Sequence, residues 1–145
     1  MENLLVKRDG CMFHVDFGFI LGKHPPMKGN FIPPIRINED IINGMGGMES
    51  DGYKDFKEKA TKAFLVLRQH RHFLLDVVMA MVDSSIPNIP RNECIQILDE
   101  LNARFLSKLS DTEATQRFEG IINESVNATW VEVLEQAHKV SVYFK

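Results

Sequence analysis

The stretch that decides the fold lies near the start of the chain and reads Phe13-His14-Val15-Asp16-Phe17-Gly18-Phe19-Ile20-Leu21-Gly22. Phe13 and Val15 alternate with His14, as in a short strand with one apolar face, and an acidic residue follows at once. Carboxylate oxygens are ligands that Mg²⁺ prefers in proteins. The stretch therefore places Asp16, a carboxylate of a type that can bind a metal, at the end of a strand.

Length and composition indicate one globular domain, because the 145 residues are 44% hydrophobic and 26% charged. A formal net charge of -3 gives no general electrostatic reason to expect nucleic acid. Cys11 and Cys94 form neither a disulfide framework nor a zinc-binding spacing, and no signal segment opens the chain. We therefore expect a cytoplasmic protein that binds no nucleic acid.

A β-hairpin is predicted around Asp9-Gly10, a dipeptide that favours a two-residue type I′ turn. With these residues at the turn, the register pairs Leu4 with Val15 and Asn3 with Asp16. The carboxylate would then lie beside an amide side chain. Strand alternation predicts an apolar face formed by Leu4, Val6, Phe13 and Val15. The opposite face is polar and is formed by Asn3, His14 and Asp16.

A long loop and then helices are predicted beyond the hairpin. Residues 19–37 hold two Pro-Pro pairs, which exclude a helix interior and interrupt strand pairing. Asn38 can cap a short helix that ends near Gly44. Apolar residues then recur at helical spacing over about 51–70.

The second half of the chain is predicted to be helical as well. Residues 73–83 are apolar on nearly every side, so we expect them at the centre of a bundle. The predicted fold class is mainly α with a small β-hairpin. Three further helices are indicated. The first is marked by Ile95, Leu98, Leu101 and Phe105, and the last runs from Trp130 to the end. Between them, the capping box Ser110 to Glu113 starts a helix whose core face is Ala114, Phe118, Ile121, Ile122 and Ser125.

Taken together, these patterns resemble the C-terminal lobe of a phosphatidylinositol 3-kinase, and the class III type fits best. The resemblance implies a protein-kinase-like fold without its ATP-binding amino-terminal lobe. It divides a single domain, residues 1–145, into a hairpin (1–18), an activation loop (19–37) and a helical bundle (38–145). The stretches that carry it are Phe13 to Gly22, Gly44 to Gly47, Ala63 to Arg68, Met81 to Asp83 with Ile86-Pro87, Leu109 to Asp111, and Glu124 to Lys139.

The resemblance implies roles for four hairpin residues. Asn3 corresponds to the catalytic-loop asparagine that ligates Mg²⁺ or Mn²⁺, and Asp16 to the carboxylate that bridges the ion and the ATP phosphates. Phe13 and Val15 would line the floor under the adenine. The alternative, which the local residues alone favour, is that Asp16 caps a turn and Asn3 lies at a frayed terminus.

The proton acceptor is expected outside this sequence. The family's catalytic loop reads Asp-Arg-His-x-x-Asn, and Met1-Glu2-Asn3 matches only its last three positions. No catalytic base is therefore assigned in this chain, and the isolated chain is expected to be inactive.

The activation loop is expected to select the lipid head group through four cations, Lys23, His24, Lys28 and Arg36. They are separated by prolines and apolar residues, whereas a head group already carrying phosphates calls for a denser cluster. Unphosphorylated phosphatidylinositol is therefore the expected substrate. The alternative is that these are ordinary solvated loop charges.

The last predicted helix is amphipathic, and by resemblance it contacts the membrane near the catalytic site. Its expected lipid-contacting residues are Trp130, Tyr143, Phe144 and Lys145. The alternative is an ordinary face that packs on the core.

Two classes of function remain open from the sequence. The first is part of a lipid kinase that transfers the ATP γ-phosphate to the 3-hydroxyl of phosphatidylinositol, peripheral on endosomal or autophagic membranes and bound to a regulatory subunit. The second is a non-catalytic helical module that binds membrane or a regulatory partner. Within the enzyme class, a fragment of a phosphatidylinositol 4-kinase is the alternative.

Overall fold

The computed structural model of the protein describes residues 3–18, 20–21, 35, 37–82, 84, 86 and 89–126. Apart from one antiparallel two-stranded sheet its regular structure is helical, which confirms the predicted fold class. None of these described helices is long and apolar enough to cross a membrane. The elements are β1 (Leu4–Val6), β2 (Met12–His14), α1 (Glu39–Gly44), α2 (Asp51–Gln69), α3 (Arg71–Ala80), a 3-10 turn (Arg91–Glu93), α4 (Cys94–Arg104) and α5 (Asp111–Val126).

The chain folds into two compact units. One unit holds the hairpin, α3 and α4, and the other holds α1, α2 and α5. The predicted division into hairpin, loop and bundle stays a prediction.

The hairpin turn has three residues, Arg8 to Gly10, where two were predicted. The Lys7 N–H donates to the Cys11 carbonyl at 2.8 Å, and the Gly10 N–H donates to the Lys7 carbonyl at 3.0 Å. Gly10 has a φ of 84°, so the turn ends in a glycine bulge. The resulting pairs are Leu4 with His14, Leu5 with Phe13, and Val6 with Met12.

The register prediction is therefore wrong by one residue. A type I′ turn needs positive φ at both central residues, and of Asp9 and Gly10 only the glycine has it. The Asp9 carboxylate instead accepts the Cys11 N–H at 3.0 Å and lies 3.3 Å from the Lys7 ammonium. These interactions lower the pKa of Asp9, with the Cys11 N–H as the largest cause. Because a one-residue shift exchanges the faces, the predicted apolar and polar faces are wrong too: Leu5 and Phe13 share one face, and Leu4, Val6, Met12 and His14 share the other.

Helix starts agree with the capping signals in the sequence. The Asn38 side chain accepts the Ile41 N–H at 3.1 Å at the start of α1. At α5, the Glu113 N–H donates to Ser110 Oγ at 3.3 Å, and the Glu113 carboxylate accepts the Ser110 N–H at 2.9 Å. The predicted capping box is confirmed.

The core of the second unit is formed by α1, α2 and α5. Ile37, Ile42 and Ile122 are buried at its centre. The rings of Phe64 on α2 and Phe118 on α5 stack with their centroids 4.3 Å apart. The core face predicted for α5 is confirmed, with Ala114, Ile122 and Ser125 buried and Phe118 and Ile121 partly buried.

Arg68 on α2 is a buried cation that the apolar pattern did not predict. Its guanidinium donates to the backbone carbonyls of Phe105, Leu106 and Leu109, and Nε lies 2.9 Å from Asp111 Oδ1. Leu106 has a φ of 51°, so the chain turns sharply where the arginine holds it. Arg68 thus satisfies the carbonyl groups between α4 and α5.

Burial in the first unit differs from what the apolar pattern of its sequence indicates. None of the ten residues of α3, all of them described, is buried, and Phe73 is 65% exposed, so the predicted central position is wrong for this chain. On α4 the buried residues are Cys94 and Ile97, whereas Ile95, one of the apolar residues that indicated this helix, is 75% exposed. Apolar periodicity shows that a face is suited to burial, but it does not show which surface covers it.

Candidate functional site: the end of the hairpin

The hairpin ladder ends one residue before Asp16. The Val15 N–H donates to the Asn3 carbonyl at 3.0 Å, which among residues 3–18 is the last backbone bond between the two strands. Asp16 then adopts a φ of 65°, a left-handed conformation that only a small share of non-glycine residues have. The turn at Asp16 redirects the side chain away from the alternation of the strand.

The carboxylate of Asp16 is oriented by two hydrogen bonds. Asn3 Nδ2 donates to Asp16 Oδ2 at 3.3 Å, and the Gly18 N–H donates to Oδ1 at 3.1 Å. A Cβ atom at Gly18 would lie 3.2 Å from Oδ1, closer than side chains usually approach, so glycine leaves room for the carboxylate. Both Asn3 and Asp16 are exposed to solvent.

The predicted proximity of Asn3 and Asp16 is therefore observed, although the reason given for it was wrong. In the observed register Asn3 lies beside Val15 and not opposite Asp16. The left-handed turn at Asp16 compensates for the shift and brings the carboxylate back to the amide. What the pair binds stays a prediction.

The donor chemistry of this pair fits a magnesium-type ion. Mg²⁺ in phosphate-transfer sites is held by one or two carboxylates and by the phosphates of the substrate. Within the described ranges there is no group of three or more His, Cys, Asp or Glu residues that could hold a metal. An amide oxygen and a carboxylate at one exposed hairpin end suit an ion that is shared with a phosphate ligand.

Comparison with known proteins decides the family. A family model for phosphatidylinositol 3- and 4-kinases matches residues 1–91. This chain belongs to the phosphatidylinositol 3- and 4-kinase family. The resemblance stated from the sequence is thereby confirmed.

Relatives within this kinase family align along the whole chain. The phosphatidylinositol 3-kinase pik3 of Schizosaccharomyces pombe is 32% identical over 145 residues, which cover 100% of this chain and 18% of that protein. The root isoform of phosphatidylinositol 3-kinase from Glycine max is 36% identical over 100% of the chain and 17% of its own length. Phosphatidylinositol 3-kinase VPS34 of Saccharomyces cerevisiae is 35% identical over 100% of this chain and 16% of its own length. The chain spans less than a fifth of the length of these relatives.

The residues predicted to lie under the adenine differ in exposure. Phe13 is 43% exposed and pairs with Leu5, which is 46% exposed, so this face of the hairpin presents apolar surface. Val15, at the end of the ladder, is partly buried. Such an apolar surface can accept a flat aromatic ring, but a nucleotide at Phe13 and Val15 remains a prediction.

The other predicted site residues lie outside the described part of the chain. The head-group cations are Lys23, His24, Lys28 and Arg36, and the membrane contacts are Trp130, Tyr143, Phe144 and Lys145. The structure does describe Ile35 and Ile37 on either side of Arg36.

One buried hydroxyl near this loop was not anticipated as a functional group. Ser125 was predicted only as a member of the α5 core face. Its Oγ accepts the Ile35 N–H at 3.4 Å, at the downstream end of the predicted activation loop. The available signal was a polar residue on an otherwise apolar helix face, which indicates a buried hydrogen bond without identifying its partner.

Proposed function

We propose that this chain is the part of a phosphatidylinositol 3-kinase that carries the metal-binding carboxylate and the lipid-selecting loop. The observation that supports this most directly is the contact between Asn3 and Asp16, with Nδ2 and Oδ2 3.3 Å apart. It joins the two residues whose family counterparts bind the metal. The reaction is transfer of the ATP γ-phosphate to the 3-hydroxyl of phosphatidylinositol.

Asp16 and Asn3 act by fixing oxygen ligands before substrate arrives. Phosphoryl transfer is catalysed mainly by positioning and by charge stabilisation, so a preoriented carboxylate is useful in itself. The Gly18 N–H and the Asn3 amide hold Asp16, and its position in the chain is set by the turn at the end of the ladder. A Mg²⁺ or Mn²⁺ ion bound there would neutralise charge on the phosphate oxygens of ATP.

The remaining roles follow the same proposal. Phe13 and Val15 form the apolar floor under the adenine, and the loop cations Lys23, His24, Lys28 and Arg36 select an unphosphorylated inositol head group. The 145 residues contain no Asp-Arg-His motif, so we assign the proton acceptor to another part of the kinase. The isolated chain then lacks turnover.

The proposed setting is a membrane surface. The substrate is lipid, and contact through Trp130, Tyr143, Phe144 and Lys145 would keep the site at the bilayer. We further propose that the complete kinase binds a regulatory protein subunit and acts on endosomal or autophagic membranes.

A chimera tests this function directly. This chain replaces the matching segment of the Saccharomyces cerevisiae relative, with which it aligns over all 145 residues. We expect ATP-dependent phosphorylation of phosphatidylinositol vesicles at the 3-position, measured with radiolabelled ATP and head-group analysis. The Asp16→Asn variant should lower kcat by roughly a hundredfold or more, because a charged metal ligand is lost.

Asp9→Asn is the matched control, since it removes an exposed carboxylate from the same hairpin and asparagine suits the turn. It should leave activity unchanged. Product phosphorylated at the 4-position would indicate the alternative kinase type. A chimera that melts like the parent enzyme and binds vesicles, yet transfers no phosphate, would favour the non-catalytic module.

A further inference from the structure

Ser125 connects helix α5 to the downstream end of the predicted activation loop. Its side chain is 1% exposed, and its hydroxyl donates to the Ile121 carbonyl at 2.7 Å. This bond to the preceding helical turn fixes the hydroxyl and leaves its lone pairs as acceptors. The Ile35 N–H, ninety residues away in sequence, donates to that oxygen at 3.4 Å.

Residues next to this bond hold the same end of the loop by packing. Ile37 is 7% exposed and belongs to the buried cluster with Ile42 and Ile122, while Ile35 packs against that cluster. Asn38 then caps α1 through the Ile41 N–H. Ile35 and Ile37 are thus connected to α5 by a hydrogen bond and by apolar contact.

We infer that Ser125 is a positioning residue for lipid recognition, acting through the backbone at Ile35. The inference deepens the proposed function and rests on it, because it assumes that the loop ending at Ile37 selects the lipid. Within the described part of the chain, Ser125 bonds to Ile35 and Ile121, whereas the ligands proposed for the metal are Asn3 and Asp16. Loss of the hydroxyl should therefore affect lipid transfer more than ATP hydrolysis.

The test compares Ser125→Ala with Ser125→Thr in the chimera described above. Three quantities are measured: hydrogen exchange of peptides containing Ile35, kcat/KM for phosphatidylinositol, and ATP hydrolysis without lipid. Ser110→Ala is the matched control, because it makes the same change just before the first residue of α5, about 20 Å from Ser125 and at the opposite end of the helix. Ile37→Val is a second variant that weakens the same anchor by one methyl group.

We expect Ser125→Ala to speed exchange at Ile35 and to lower kcat/KM for the lipid roughly tenfold, with ATP hydrolysis unchanged. Ser125→Thr, which keeps a hydroxyl, should restore both quantities, and Ile37→Val should change them in the same direction as Ser125→Ala. Ser110→Ala should leave the ratio of lipid transfer to ATP hydrolysis as it is.

Equal loss of lipid transfer and ATP hydrolysis in Ser125→Ala would overturn the inference, since that pattern indicates general damage to the fold. Unchanged exchange at Ile35 would overturn it as well. Failure of the proposed function has a different signature, because it is seen already in the unsubstituted chimera, which would phosphorylate no lipid.

Discussion

At the scale of single residues, one backbone angle determines the site. Asp16 follows a strand whose register places Asn3 beside Val15, and an extended continuation would carry the carboxylate to the opposite face from Asn3. The φ of 65° at Asp16 reverses this and brings Oδ2 to 3.3 Å from the Asn3 amide. Such a conformation is unfavourable for most side chains, and its occurrence at the proposed metal ligand agrees with a functional constraint.

Arg68 permits a prediction about stability. Its buried guanidinium bonds the carbonyls of Phe105, Leu106 and Leu109, so Arg68→Met would leave these groups without their donor. We expect the free energy of unfolding to fall by about 3 kcal/mol, measured by urea denaturation of the chain with far-ultraviolet circular dichroism.

The Asp111 partner provides the control for Arg68. Its side chain is 84% exposed, so Asp111→Asn should lower the free energy of unfolding by less than about 1 kcal/mol. Similar losses in the two variants would show that the ion pair, and not the carbonyl contacts, gives Arg68 its importance.

At the scale of elements, local signals predicted the existence of the hairpin and the starts of α1 and α5. The hairpin register failed because Asp9-Gly10 suits either a two-residue turn or a three-residue turn with a glycine bulge. The choice depends on the φ of Asp9, and here that residue uses its carboxylate to bind the Cys11 N–H. Competition of this kind between a side chain and a turn type is not visible in the alternation of apolar residues.

The capping box of α5 predicts a pH dependence. Ser110 lowers the pKa of Glu113, first through its side-chain hydroxyl and then through its N–H, from the ordinary value of 4.5. Because the folded-state pKa lies below the unfolded one, the contribution to stability is complete above about pH 4.5 and is lost as pH falls through the folded-state value.

Glu113→Gln tests that contribution, since glutamine keeps the acceptor and removes the charge. The urea midpoint of the natural chain should fall more steeply below about pH 4.5 than that of the variant. Parallel pH profiles would contradict this assignment. The carboxylate of Asp9, whose pKa is lowered as well, is present in both proteins and cancels in the comparison.

At the scale of the whole molecule, the apolar pattern and the observed burial disagree most in the first unit, although Leu67 on α2 of the second unit is also 50% exposed. The second unit buries Ala114, Ile122 and Ser125 of the face predicted for α5. In the first unit, α3 leaves Phe73, Val77 and Met79 exposed, and the hairpin leaves Val6 and Phe17 exposed. Apolar periodicity indicates that a face is suited to burial, but it does not indicate which surface covers that face. The chain spans 16% of the length of the Saccharomyces cerevisiae relative, and the apolar pattern does not show whether the covering surface lies within that 16%.

These exposed groups predict self-association of the 145-residue chain by itself. Val6 and Phe17 are 65% and 66% exposed, and burial of such side chains against another copy is favourable. We expect light scattering after size exclusion to give a mass above 16.6 kDa that falls on dilution. The double variant Val6→Thr with Phe17→Ser should shift the equilibrium towards monomer, whereas Arg8→Ser, an exposed charged position in the same hairpin, should not. A monomer at all concentrations would show that the exposed hairpin and α3 surfaces are too small or too dispersed to drive association.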